Sequence, residues 1–188
     1  AKSFQCNEGL SYLVTDSYIL KDGTLICNIN GALRKLDRKE GMFIGYRMPN
    51  MTRYFETSCM LEERSGNLWF GTYMGGVYKY LMDKDEMVFY DLKQKGMTSN
   101  SVTCLAEDRH GRIWLGTYSG ELGCFDGDDL TIFNATNGFG GANKISDLFV
   151  DSEGNLVISD HQSGISIFKG DAFRTINNKD LITDLNVN

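Results

Sequence analysis

The sequence predicts an all-β fold in which one unit of four antiparallel strands recurs about four times. Three observations support this prediction: a long-period repeat, an unusual balance of glycine and proline, and a high aromatic content. The 188 residues include 21 glycines and a single proline, which indicates frequent tight turns rather than a disordered linker. Aromatic residues make up 12% of the chain, and strands favour them.

The repeat is clearest in two segments, 63–77 and 108–122. Both contain, in the same order, an acid, a glycine, an aliphatic residue, a tryptophan, the sequence Gly-Thr-Tyr and a final glycine. A weaker copy covers 151–165 and a degenerate one covers 22–33. The anchor glycines recur every 43–45 residues, at Gly23, Gly66, Gly111 and Gly154. This period is typical of β-propeller blades, and the short β-branched or aromatic segments exclude helical repeats of similar length.

The third copy shows the order of elements within one unit. Four strands are predicted, at 101–107, 113–117, 121–125 and 130–133. Glycine-containing and aspartate-containing turns separate them, at 108–111, 118–120 and 126–129. Neighbouring units must stack to bury the faces of these small sheets.

The pattern D-x-x-G-x-[IL]-W-[LF]-G-T-x-x-G resembles the two-component regulator propeller repeat. Segments 63–77 and 108–122 fit it closely. The first copy has Ile26 at the tryptophan position, and the last has Val157 there and Ser159-Asp160 in place of Gly-Thr.

The resemblance implies a role as well as a fold. In that family the repeats form propellers of typically seven blades, the periplasmic sensing part of hybrid sensor histidine kinases of gut Bacteroidetes. Those receptors detect glycan breakdown products. Four copies are visible here, and 181–187 is expected to open a fifth. Residues 1–188 are therefore expected to form a single partial propeller, a periplasmic segment without kinase or receiver domain.

Composition and motifs exclude several functional classes. The net charge of -6 disfavours nucleic-acid binding, and no apolar run reaches the roughly 18 residues of a membrane helix. No signal peptide is visible. Neither a nucleophile elbow nor a phosphate loop is present, so we expect no enzyme and no cofactor. The acidic clusters at 83–86 and 126–129 are interpreted as hairpin turns, with a calcium site as the alternative.

The repeat-matched tryptophans and cysteines are predicted to be core residues. Trp69 and Trp114 should pack between blades, and a sugar-stacking platform is the alternative. Cys27, Cys59 and Cys104 should be small buried apolar residues. A Cys6–Cys124 disulfide is the alternative for the remaining thiols.

A ligand is expected on the face that collects the second-to-third-strand turns and the blade-to-blade connections, here called the upper face. Its aromatic, amide, imidazole and guanidinium groups suit a polyhydroxyl ligand. The candidate binding residues are Tyr73, Tyr118, His161, Gln162, Arg53, Asn100 and Asn143. In the alternative interpretation, the two tyrosines only cap blade turns and His161 is a surface turn residue.

Three functions remain open at this point. The leading one is a sensor module that recognises an oligosaccharide or relays its binding. A protein-interaction scaffold without a small ligand is the second, and a propeller lyase or glycosidase is the third. Because four blades leave apolar end faces, we also expect self-association, contact with further blades, or closure as a small four-blade ring.

Overall fold

A computed structural model describes residues 14–46, 56–140, 143–161, 164–170 and 172–176. It confirms the all-β prediction. Sixteen strands form four separate antiparallel sheets, and in each sheet the strands pair in chain order. Each sheet is one propeller blade.

The strand bounds define blades 1 to 4. Blade 1 contains β1 Val14–Ile19, β2 Leu25–Ile29, β3 Ala32–Asp37 and β4 Met42–Gly45. Blade 2 contains β5 Thr57–Glu62, β6 Leu68–Thr72, β7 Val77–Leu81 and β8 Glu86–Tyr90. Blade 3 contains β9 Val102–Glu107, β10 Ile113–Thr117, β11 Leu122–Asp126 and β12 Asp129–Phe133. Blade 4, after a 3-10 turn at Ala135–Asn137, contains β13 Ile145–Val150, β14 Leu156–Asp160, β15 Gly164–Phe168 and β16 Phe173–Ile176.

The anchor glycines of the repeat close the first hairpin of each blade. Gly111 has a φ of 81° and donates its N–H to the carbonyl of Asp108 at 3.1 Å. Gly66 makes the same bond to Glu63 at 2.8 Å, with a φ of 95°. L-residues with a side chain rarely adopt this left-handed conformation, which explains why glycine stands at the anchor.

The blades stack through their first strands. β1 packs against β5, β5 against β9 and β9 against β13. A second glycine allows this approach, because a methyl group at Gly116 would lie 2.5 Å from Ile145 Cγ2 and 2.7 Å from Cys104 Sγ. Within the described ranges β13 makes no comparable contact with β1. The four blades therefore form an open arc, and the expected four-blade ring is not formed.

Apolar clusters fill the three gaps between consecutive blades. Trp69 belongs to the cluster between blades 2 and 3, and Trp114 to the cluster between blades 3 and 4. Each is only 1% exposed, which confirms both as core residues. The gap between blades 1 and 2 contains Ile26, the residue at the tryptophan position of the first copy.

The described cysteines are core residues too. Cys27, Cys104 and Cys124 are buried and Cys59 is partly buried. Burial raises the pKa of Cys104 and of Cys124 to about 12. Cys124 is a free thiol, and Cys6, the other half of the alternative disulfide, lies outside the described residues.

The two acidic clusters lie in the turns between third and fourth strands. Asp85 adopts a left-handed φ of 57° and accepts a hydrogen bond from Tyr80 Oη. Asp128 accepts from Tyr90 Oη at 2.6 Å. Across the described ranges no three histidine, cysteine or acidic side chains are grouped so that they could hold a metal ion.

Candidate functional site

The structure places the candidate tyrosines on exposed turn tips of the upper face. Tyr73 follows β6 and is 49% exposed, and Tyr118 follows β10 and is 63% exposed. His161 follows β14 at the equivalent point of blade 4 and is also exposed. All three side chains are accessible to a ligand.

Ser101 joins the first two of these turns. Its carbonyl accepts the N–H of Tyr118 at 2.9 Å, and its hydroxyl donates to the carbonyl of Tyr73. Because one residue of the connection contacts both turns, Tyr73 and Tyr118 lie side by side across blades 2 and 3.

Lys144 joins the second and third turns in the same way. Its ammonium lies 5.6 Å from the ring centroid of Tyr118, and its carbonyl accepts the N–H of His161 at 3.2 Å. The sequence analysis missed both Ser101 and Lys144, although each immediately precedes the first strand of its blade. We call the continuous row of Tyr73, Ser101, Tyr118, Lys144 and His161 the upper ridge.

Two of the remaining candidates, Asn100 and Asn143, lie in the connections between blades. Asn100 uses its amide internally: Oδ1 accepts from Lys93 N at 2.9 Å, and Nδ2 donates to Asp91 Oδ1 at 3.0 Å. The backbone of Asn143 packs against Gly120, where an added methyl group would lie 2.5 Å from its carbonyl oxygen. Arg53 and Gln162 lie outside the described residues.

Below the ridge, each core tryptophan is held by the acid that begins its repeat. Trp114 Nε1 donates to Asp108 Oδ2 at 3.0 Å, and Trp69 Nε1 donates to Glu63 Oε2 at 2.6 Å. Arg112 Nε lies 2.7 Å from Asp108, which balances the buried charge. Sequence reasoning identified the acids as repeat positions but not as indole acceptors.

These contacts change the ionisation of both acids. Burial raises the pKa of Asp108, but hydrogen bonds from Trp114 and Arg112 outweigh it and leave the pKa below its usual value. Burial also raises the pKa of Glu63, and hydrogen bonds from Ser65 and Trp69 again reverse the direction. Both carboxylates are therefore stabilised in the charged form.

We expect the folded state to lose stability in acid. A carboxyl group with a lowered folded-state pKa contributes stability above its unfolded pKa, roughly 4, and loses it as the pH falls toward the folded value. Asp108→Ala should cost about 1–3 kcal/mol at neutral pH, since it leaves a buried indole N–H unpaired, and should weaken this acid dependence. Urea unfolding at a series of pH values measures both effects.

Asp151→Ala is the matched control. Asp151 is the equivalent acid of blade 4, where Val157 replaces tryptophan and Asn155 supplies the hydrogen bonds. Its replacement should cost less than that of Asp108. Equal losses of unfolding free energy in the two variants would show that the hydrogen bond from the Trp114 indole does not contribute to stability.

The structure also has cavities away from the ridge. A cavity of about 550 Å³ lies between blades 3 and 4 toward the outer strands. Two smaller ones, of about 390 and 170 Å³, lie on the lower face below Trp69 and Trp114. The cavity of about 550 Å³ is lined by Arg112, Trp114, Cys124, Asp126, Thr131, Phe133, Asn137, Gly138, Phe168, Gly170, Ala172 and Phe173.

The fold and its repeat-locked core define a β-propeller segment. Residues 96–119 match the family model described as two component regulator propeller. The chain thus carries the two-component regulator propeller repeat, which confirms the resemblance. No curated protein matches the sequence. Among the described residues no helix is long and apolar enough to cross a membrane.

Solved structures with the same fold include extracellular domains of two-component systems and an enzyme. The extracellular domain of the hybrid two component system BT3049 of B. thetaiotaomicron is 21% identical with a TM-score of 0.78, over 96% of this chain and 25% of that one. The corresponding domain of BT4673 is 22% identical with a TM-score of 0.65, over 82% and 21%. Virginiamycin B lyase of Staphylococcus aureus is 14% identical with a TM-score of 0.69, over 88% and 56%.

At these low sequence identities, the similarity to the solved structures shows the fold alone. The chain spans about a quarter of the length of the BT3049 domain that it matches.

Proposed function

We propose that this chain is part of an extracytoplasmic sensor propeller and that its upper ridge recognises a carbohydrate. The observation that carries the proposal is the continuity of the ridge. Two exposed tyrosine rings, a lysine and a histidine from blades 2 to 4 lie along one row. Backbone hydrogen bonds, the Ser101 hydroxyl and a cation–π contact of Lys144 join them.

The chemistry of the ridge supports a polyhydroxyl ligand. The rings of Tyr73 and Tyr118 offer flat apolar surface to the CH face of a sugar, and their hydroxyls can donate or accept. Lys144 and His161 add nitrogen donors. A ligand of several sugar units can contact more than one blade at once. Such an elongated ligand matches a row of side chains better than a single deep pocket would.

The repeat supports the sensor role and the location. The two component regulator propeller match covers 96–119, and extracellular domains of two B. thetaiotaomicron systems share the fold. We infer a periplasmic segment that carries no catalytic activity of its own. Its partners are the remaining blades of a longer propeller or a second copy of the chain.

A protein-interaction scaffold is the second candidate. Met74, beside Tyr73 on the same turn, is 84% exposed. Exposed methionine and tyrosine are common at protein interfaces, so this turn also suits a protein partner.

Tyr118→Ala should weaken the binding of neutral oligosaccharides about tenfold, the loss of one aromatic stacking contact with its hydroxyl. Isothermal titration calorimetry with cello-, xylo- and malto-oligosaccharides measures it. Phe89→Ala is the control, because Phe89 is also an exposed aromatic residue, 49% against 63% for Tyr118, but belongs to outer strand β8 and not to the upper ridge. An equal loss of affinity in both variants, or no binding of any of these oligosaccharides, would favour the protein-interaction scaffold.

A further inference from the structure

The cavity of about 550 Å³ between blades 3 and 4 lies where the repeat is broken. An apolar cluster lies in each gap between consecutive described blades, but the residues beside the cluster differ from gap to gap. Pairing across the sheets identifies the equivalent positions: Lys79 pairs with Trp69 in blade 2, and Cys124 pairs with Trp114 in blade 3.

Two lysines occupy the gap between blades 2 and 3. The ammonium of Lys79 lies 4.8 Å from the Trp69 ring centroid and 3.3 Å from Glu63 Oε2. The ammonium of Lys95 lies 5.5 Å from the Tyr90 ring and 5.9 Å from the Phe125 ring. Their alkyl stems and charges thus lie against aromatic rings, the usual setting of a cation–π contact.

Neither lysine has a counterpart between blades 3 and 4. Cys124 stands at the position of Lys79. Asn137 stands at the position of Lys95, since each precedes the left-handed glycine of its connection, Gly138 with a φ of 95° and Gly96 with a φ of 102°. The aromatic walls are kept, however, because Phe133 and Phe168 take the positions of Tyr90 and Phe125. Both of these shorter side chains line the cavity of about 550 Å³.

The walls of this space are aromatic and closely packed with one another. Phe133 stacks on Trp114 at 5.5 Å and meets Phe173 edge-on at 5.5 Å, while Phe168 lies 4.7 Å from Phe173. The volume is within the range of small-molecule sites.

The charges around the cavity are unequal. Arg112 lies 5.5 Å from the ring of Trp114, but Asp108 already neutralises it at 2.7 Å. Asp126, an exposed carboxylate next to the cavity, has no ion-pair partner among the described residues. Among the described residues, the lining therefore has one uncompensated negative charge beside several aromatic rings.

We propose that this cavity binds a small organic cation, a primary ammonium carried on an apolar stem. The stem takes the place that the alkyl chains of Lys79 and Lys95 fill in the neighbouring gap. The ammonium lies against the rings of Phe133 and Phe173 and pairs with Asp126. This site is separate from the upper ridge, and the inference does not depend on carbohydrate recognition there.

Titration calorimetry with n-butylammonium chloride tests the proposal, with n-butanol as the neutral probe of the same shape. We expect the ammonium to bind the wild-type chain at least about tenfold more tightly than the alcohol. The double variant Arg112→Asn/Cys124→Lys gives blade 3 the residues that blade 2 has at these positions, Asn67 and Lys79. This variant should fold, its new lysine should occupy the cavity, and it should no longer bind n-butylammonium.

Two further variants keep the experiment decisive. Asn137→Lys inserts the second lysine from the exposed connection, so it tests the site even if the double variant fails to fold. Asp129→Asn changes the net charge by the same single unit as Asn137→Lys without entering the cavity, and should bind as the wild type does. Equal binding of n-butanol, absence of ammonium binding, or binding that survives both lysine insertions would overturn the proposal. Preferential binding of glucose would assign the cavity to sugars instead.

Discussion

Trp114→Ala should lower the free energy of unfolding by about 3–5 kcal/mol, the usual cost of emptying a large aromatic site in a core. Trp114 is fully buried, and its ring lies 5.5 Å from Phe133 and 5.3 Å from Phe168. Its removal takes away the central element of the cluster between blades 3 and 4 and also leaves Asp108 without its indole donor. Urea unfolding followed by circular dichroism measures the loss.

Trp114→Phe separates packing from hydrogen bonding. Phenylalanine retains most of the apolar contact but leaves Asp108 with only Arg112 and backbone donors. We expect a loss of about 1–2 kcal/mol, smaller than that of the alanine variant. A loss below about 1 kcal/mol for Trp114→Ala would mean that the blades are held together elsewhere.

The repeat was sufficient to predict the strands. Each blade is a chain of hairpins, so local turn residues such as Gly66 and Gly111 determine where strands begin and end. The predicted strands of blade 3 differ from β9, β11 and β12 by one residue at some ends, and β10 agrees at both. The burial of Trp69 and Trp114 was predictable for the same reason, since a residue fixed by the repeat serves the contact between repeats.

The details of the site depended on contacts between blades, which spacing does not reveal. Ser101 and Lys144 each contact a turn of the preceding blade, 28 and 26 residues earlier in the chain, at Tyr73 and at Tyr118. Lys79 and Cys124 are equivalent by spacing, each 13 residues after its anchor glycine, and the cross-strand register agrees, but spacing does not show that a cavity lies beside Cys124. Sequence also does not show that the amide of Asn100 is bonded within its own connection, to Lys93 N and Asp91 Oδ1.

The end of the arc should drive the isolated 188-residue chain to self-associate. One face of blade 4 is not covered by another described blade. On this face Phe149 and Val157 are equivalent to Ala106 and Trp114, the residues that blade 3 buries against blade 4. Phe149 is 61% exposed and Ile165 is 41% exposed. Burying several hundred Å² of such a face at about 25 cal/mol for each Å² contributes roughly 5–10 kcal/mol before the entropy of association is subtracted.

Phe149→Asp should therefore shift the chain toward monomer, raising the dissociation constant by at least about tenfold, because a charge then lies at the centre of the apolar face. Sedimentation velocity across micromolar concentrations measures this. Phe89→Asp is the control, since Phe89 is similarly exposed but lies on β8, where it packs at 4.8 Å against Tyr78 of its own blade. A wild-type chain that stays monomeric, with the scattering profile of an open arc, would show that the blade 4 face tolerates water without a partner.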